Sequence, residues 1–281
     1  MKTAGTSIEA ALVPHCGPDD LITGSLYIGE IDNPDVDLSP RNNWEEFDLS
    51  GDEAKLYAAS MQQEFVTHPP MPWNIKDEIT TARVTKPIFD SHTTPEILQQ
   101  NSKFSNLTRD YMKITASRNP WDSTVSYFWW CYYAPPFVLG VFDGAPVTGR
   151  QMGADQSLCP LIEDSTDTLR YKFKCFLESS LNHDSPYGII ENCNTVLWLA
   201  SLAECYYDPE IDFVIRYEDL EKEMGDLFKN LSLDFQGIPK IKSGQRKSKL
   251  PYKDYYDKVT KDMVGDAFSR MIQIFEYQFE N

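Results

Sequence analysis

The sequence predicts an α/β fold, a parallel sheet flanked by helices on both faces. Three observations carry this expectation. Short apolar strand candidates at Lys86–Asp90, Met112–Ser117 and Asp212–Arg216 alternate with stretches of helical spacing. Two polar turns, Lys2–Ser7 and Arg118–Ser126, each stand where a helix begins. No internal repeat or low-complexity linker divides the 281 residues, which read as a single domain with an insertion or lid around residues 134–165.

In chain order, Lys2-Thr3-Ala4-Gly5-Thr6-Ser7 precedes an apolar-periodic run of Ile8, Ala11 and Leu12. Gly5 permits a close turn, and Thr6 and Ser7 fall at a helix start whose amides and dipole favour an anion. Lys2 adds a cation. Two readings of this hexapeptide stand: a phosphate- or sulfate-binding turn, or an ordinary Ser/Thr cap beside a solvated lysine. It lacks the Gly-Lys-Ser/Thr ending of a Walker A loop. Residues 17–50 are rich in Asp, Asn, Pro and Gly and read as an extended loop. Ala54, Tyr57, Ala58, Met61 and Phe65 give residues 51–66 a helical face, and Pro69, Pro70 and Pro72 end it. A further helix starts at Pro95 and covers residues 94–100.

Met112–Ser117 reads as a short buried strand that stops at Arg118-Asn119-Pro120. Asn119 suits an N-cap, Pro120 the first helical position, and Asp122 the third residue of a capping box. Arg118 thus sits at a strand's carboxyl end, with Ser126 two turns into the following helix. A planar guanidinium and a hydroxyl there fit a phosphate, or Arg118 simply pairs with a carboxylate. The two turns together suggest one ligand with two separated phosphate-type groups. Further on, residues 168–181 and 191–205 have helical spacing, and Asp212–Arg216 forms a buried strand. The last helix covers 259–277, with Val264, Phe268, Met271 and Phe275 on one face.

Apolar residues make up 41% of the chain, ample for a core, and no run is long and apolar enough to span a membrane. No charged-then-apolar leader precedes the first turn. The formal charge of −17 argues against a general nucleic-acid binder, whose affinity rests on neutralising phosphates. Any polyanion site must then be locally basic, with Lys2, Arg118, Arg246 and Lys247 as suppliers. Cys16, Cys131, Cys159, Cys175, Cys193 and Cys205 lack metal-ligand spacing and read as reduced, mostly buried thiols with no metal site. A cytoplasmic protein is expected.

At the level of motifs, the chain resembles the PAPS-dependent sulfotransferases, in their bacterial and carbohydrate-type branch. The likeness rests on Lys2–Ser7, on Arg118-Asn119-Pro120 with Ser126, on Gly17–Thr23, on Phe213–Leu220, and on Tyr252 to Tyr277. It implies a P-loop-NTPase-like sheet whose first strand is missing or replaced, since here the first motif starts at residue 2. It also implies PAPS as co-substrate and PAP as product. Lys2, Thr3, Ala4, Gly5, Thr6 and Ser7 would hold the 5′-phosphosulfate, and Arg118 and Ser126 the 3′-phosphate. Arg246 and Lys247 form a basic loop of the kind the family closes over that phosphate; a solvated loop is the other reading.

Sulfuryl transfer needs a base. His92 follows Pro87-Ile88-Phe89-Asp90 and lies upstream of the Arg-Asn-Pro segment, as does the base of uronyl 2-O-sulfotransferases. A neutral imidazole can take a proton near pH 7. His68 ranks second, His15 and His183 lower, and Glu64 is a weaker candidate. The aromatic run Tyr127–Tyr133 is either core or a wall for an acceptor ring, and Trp121 either core or an adenine contact. The expected acceptor is a hydroxyl or amine of a saccharide or small metabolite, with the 134–165 lid on its side. Two alternatives stay open: a P-loop phosphotransferase or kinase, and a non-catalytic PAP-binding module.

Overall fold

The computed structural model describes residues 4–18, 20, 44–50, 81–87, 112–133, 141–142, 145–146, 156–181, 196, 200, 211–239 and 246–279. Lys2, Thr3 and His92 lie outside the described residues, as do the expected helices over 51–66 and 94–100 and the alternative bases His68, His183 and Glu64. Of the expected helix over 191–205, Val196 and Ala200 are described, both helical and buried.

The elements are α1 (Gly5–Leu12), β1 (Trp44–Ser50), β2 (Thr81–Pro87), β3 (Ile114–Ser117), α2 (Pro120–Tyr133), β4 (Val141–Phe142), β5 (Ala145–Pro146), α3 (Thr166–Leu181), β6 (Phe213–Arg216), α4 (Leu220–Asn230), α5 (Lys258–Ala267) and α6 (Ser269–Phe275). Short 3-10 turns occupy Val13–His15, Gln156–Leu158, Tyr217–Asp219 and Tyr252–Tyr255. The chain is therefore a mixed helix and strand protein. It divides into two compact units, one of Met1–Ile8, Thr94–Ala134 and Thr148–Asn281, the other of Glu9–Thr93 and Pro135–Val147.

The first unit holds a parallel pair, β3 beside β6, in register from Ile114 opposite Phe213 to Ser117 opposite Arg216. Both strands are one or two residues shorter at their starts than their apolar runs predict. Lys113 donates its amide to the Asp212 carboxylate at 2.7 Å and accepts at its carbonyl from Asp212 and Phe213, so this rung closes the sheet end. Within β6 only Ile215 is fully buried, and Arg216 is exposed. Each strand runs directly into a helix start, α2 after β3, and the Tyr217–Asp219 turn with α4 after β6. Parallel strands joined this way put their carboxyl ends, and the residues just beyond, side by side.

α2 packs against α3, α5 and the Tyr252–Tyr255 turn, and this contact is the core. Most of α2 is apolar, so it buries nearly its whole circumference rather than one stripe. Tyr127, Phe128, Trp129, Cys131 and Tyr132 are all buried, and Trp130 stacks on Tyr127 with ring centres 6.0 Å apart. Most of the aromatic run is thus core, and Trp130 and Tyr133 are half-buried. α3 contributes Leu169, Phe173, Phe176 and Leu177, one face at helical spacing. Trp121 is also core: its indole N–H donates to the Lys261 carbonyl at 3.0 Å, and Gly265 of α5 lies against the same ring.

The last helix is not continuous. Phe268 (φ −109°, ψ 22°) leaves helical geometry between α5 and α6. Val264, Phe268, Met271 and Phe275 are nevertheless all buried, as their spacing predicts. α5 opens on a true capping box. Asp257 accepts from the Thr260 amide at 2.8 Å, and the Asp257 amide donates to the Thr260 hydroxyl at 2.9 Å. The Thr260 amide holds the Asp257 carboxyl below its usual range. A depressed folded-state value means this stabilisation is present above the unfolded pKa of about 3.9 and is lost as pH falls through the folded one. Asp257→Ala is expected to cost about 1 kcal/mol in urea unfolding at pH 7. The gap from wild type should shrink as the pH is lowered below about 4.

The second unit contains the antiparallel pair β1–β2, from Trp44 opposite Pro87 to Ser50 opposite Thr81, and the two-residue pair β4–β5. β1 overturns the expectation of a loop through residue 50. Its register sets Phe47 opposite Val84, Leu49 opposite Ala82, Glu45 opposite Lys86 and Asp48 opposite Arg83. β2 in turn starts earlier than the expected strand at Lys86, and Ile88–Asp90 lies outside the described residues. Of the four described cysteines only Cys131 is buried, against the expectation of mostly buried thiols. Among the described residues, no helix is long and apolar enough to cross a membrane.

Candidate functional site

The two helix starts that the sequence marks as anion turns both fall in the first unit. α1 opens from Ala4, whose φ of 64° places a residue with a β-carbon in the left-handed region, and the Ile8 amide donates to the Ala4 carbonyl at 3.0 Å. Such a conformation is costly for alanine and usually falls to glycine or asparagine. Gly5, the first helical residue, is exposed, and nothing lies within 4 Å of where its β-carbon would be. Thr6 is half-buried and Ser7 buried. The special backbone is therefore one residue earlier than the glycine that the sequence singles out.

The second start is built more fully. Asn119 caps α2, its side-chain oxygen accepting from the Trp121 amide at 3.1 Å and the Asp122 amide at 3.4 Å. Pro120 takes the first helical position. The Asn119 side-chain amide donates to the Gln278 carbonyl at 3.1 Å, drawing the C-terminal segment against the cap. Phe279 then lies edge-on to Trp121, Tyr252 and Tyr256.

The expected capping box is not formed here. The Asn119 amide donates to Glu218, in the Tyr217–Asp219 turn after β6, with a distance of 2.6 Å. Asp122 is thereby released from the cap and takes two arginines instead. Arg118 donates to one of its oxygens through Nε at 2.9 Å and Nη2 at 2.6 Å. Arg246 donates to the other through Nη1 at 2.9 Å. The physical reason is charge: a carboxylate gains more from two guanidiniums than from one amide.

Arg118 and Arg246 meet although 128 positions apart in numbering; Arg246 and Asp122, which are directly bonded, are 124 apart. Arg118 is buried, with its guanidinium 3.8 Å over the Tyr217 ring, and Arg246 lies 5.6 Å over Tyr255 and donates to the Leu250 carbonyl. The Arg246 Nε is buried with no hydrogen-bond partner among the described residues. Two guanidiniums meet two carboxylates at this helix start, Asp122 on both arginines and Glu218 on the adjacent Asn119 amide, so the formal charge there is balanced. Ser126, half-buried, is one turn beyond Asp122 on the same helical face. Lys247 is exposed.

No family model, curated protein or solved structure matches the chain. The site's chemistry rests on its own residues.

Beneath the arginines lies a second polar set. The Ser117 hydroxyl and the Tyr277 phenol are 2.8 Å apart, and Tyr277 reaches the other Glu218 oxygen at 3.4 Å. Burial first, and the neighbouring Glu218 carboxylate next, push the Tyr277 phenol well above its usual value, so it stays neutral at physiological pH. Tyr217, Glu218 and Tyr277 escape sequence reasoning because their partners are distant in the chain. Asp122 was readable: four residues after Arg118 is ion-pair spacing on a helix.

Proposed function

We propose that the chain is a PAPS-dependent sulfotransferase on a P-loop-NTPase-like sheet, moving the sulfuryl group to a hydroxyl or amine of a saccharide or small metabolite. The observation that carries this reading is the convergence of Arg118 and Arg246 at the first turn of α2, just past a strand's carboxyl end. An oxyanion is the natural partner for such a pair, and the one they now hold comes from the chain itself. The left-handed Ala4 opening α1 supports a second, strained turn in the same compact unit.

In this reading the 3′-phosphate lies on Arg118, Ser126 and the Arg246–Lys247 loop, and the 5′-phosphosulfate in the Lys2–Ser7 turn. The acceptor oxygen attacks sulfur in line, the bond from sulfur to the bridging oxygen breaks, and PAP leaves with that electron pair. His92 takes the acceptor's proton, and Lys2 faces the charge growing on the bridging oxygen. Positioning and electrostatics supply most of the rate, and one well-aimed donor contributes about 3–4 kcal/mol to barrier lowering.

The direct test is mass-detected sulfate transfer from PAPS to pooled extracts. Labelled product is expected; stabilisation by PAP without transfer to any acceptor would instead favour a binding module, and magnesium-dependent turnover of ATP a kinase. His92→Ala is expected to retain PAP binding and lose at least about 99% of turnover, as for loss of a general base. Full activity in that variant would move the base elsewhere.

A further inference from the structure

We infer that Asp122 is a positioning residue that fixes two arginines as a single phosphate clamp. This rests on the nucleotide reading above and extends it to a residue that reading does not use. Asp122 divides its oxygens between the two guanidiniums, one taking the Nε and Nη2 of Arg118, the other the Nη1 of Arg246. Its side chain is 20% exposed, so the ion pairs are largely shielded from water. Arg118 is otherwise held by its strand end and by Tyr217. Arg246 comes from a loop, and its guanidinium donates to Asp122 and to the nearby Leu250 carbonyl. Asp122 is thus the bond that carries the loop arginine to the helix start.

The consequence is specificity. Two long side chains held in advance lose less rotational freedom when a phosphate arrives. A phosphate monoester can accept charge-assisted hydrogen bonds from both guanidiniums at once, whereas a neutral hydroxyl in its place accepts weaker and fewer ones. Asp122 therefore sets the preference for a nucleotide bearing a 3′-phosphate over one without it, acting through the arginines and not by touching the ligand.

The test is calorimetric titration of PAP and of AMP into the full chain. Wild type is compared with Asp122→Asn, Asp122→Glu and Leu227→Ala. Asparagine keeps the shape but offers one acceptor oxygen and turns an amide NH2 toward a guanidinium. The ratio of PAP to AMP affinity is expected to fall about tenfold or more in Asp122→Asn. Asp122→Glu keeps the charge but moves it, and a smaller fall is expected; it is the variant to read if asparagine prevents folding. Leu227→Ala, a buried α4 position, loses stability and should keep the ratio. If wild type prefers PAP and both Asp122 variants keep that preference, Asp122 does not position the clamp, while the nucleotide reading survives. An equal fall in Leu227→Ala would also overturn the inference, since lost stability would then explain it. If wild type itself shows no preference, the nucleotide reading fails and this inference with it.

Discussion

Arg118→Ala is expected to abolish retention on a PAP affinity resin while leaving the chain folded. Arg118 places a planar fork at the end of β3, beside the amides that open α2. Removing it takes away two charge-assisted hydrogen bonds to a phosphate, about 3 kcal/mol or more and over roughly a hundredfold in affinity. The fold should tolerate the loss better than burial alone implies. Stripping the partner from a buried charge costs about 3–5 kcal/mol, because an uncompensated ion remains. Here Asp122 keeps Arg246, so a loss of about 1–3 kcal/mol is expected, from the missing bonds and the bare Tyr217 ring. Unchanged retention on the resin, in a protein with wild-type circular dichroism, would reject Arg118 as a phosphate ligand.

Phe128→Ala should give the largest loss of stability. Phe128 is fully buried and lies against Trp129, Tyr132, Phe173 and Phe176, its ring centre 5.1 Å from that of Phe176 and 5.5 Å from that of Phe173. It joins α2 to α3, so the cavity left behind is bounded by rigid rings that cannot collapse into it. About 3–5 kcal/mol is expected. In urea unfolding the midpoint should fall with little change of slope. A loss under about 1 kcal/mol would mean that α2 does not pack as described.

The parts of this structure that depend on neighbouring residues were legible in the sequence. Asn119 and Pro120 mark the start of α2 because a cap and a fixed φ act locally. The spacing of Leu169, Phe173, Phe176 and Leu177 gives α3 its buried face. Features set by distant partners were not legible. β1 is acidic and finds its partner only at Thr81–Pro87. The break at Phe268 has no glycine or proline to announce it, and Glu276, left-handed at φ 56°, ends α6 where glycine is the usual signal. The same division runs through the site. Arg118 and Ser126 were named from motif spacing and Arg246 as part of a basic loop, but Asp122 was read as a cap. Its true partners appear only once Glu218, from the turn after β6, has taken the Asn119 amide.

One titration bears on all of this: PAP into the wild-type chain, followed by AMP, which lacks the 3′-phosphate but keeps the adenosine and the 5′-phosphate. If a single nucleotide spans the Lys2–Ser7 turn and the Arg118 cluster, PAP binds and AMP binds at least about tenfold more weakly. Equal affinity for the two, or heat from neither, would contradict a site built to grip a nucleotide at both ends.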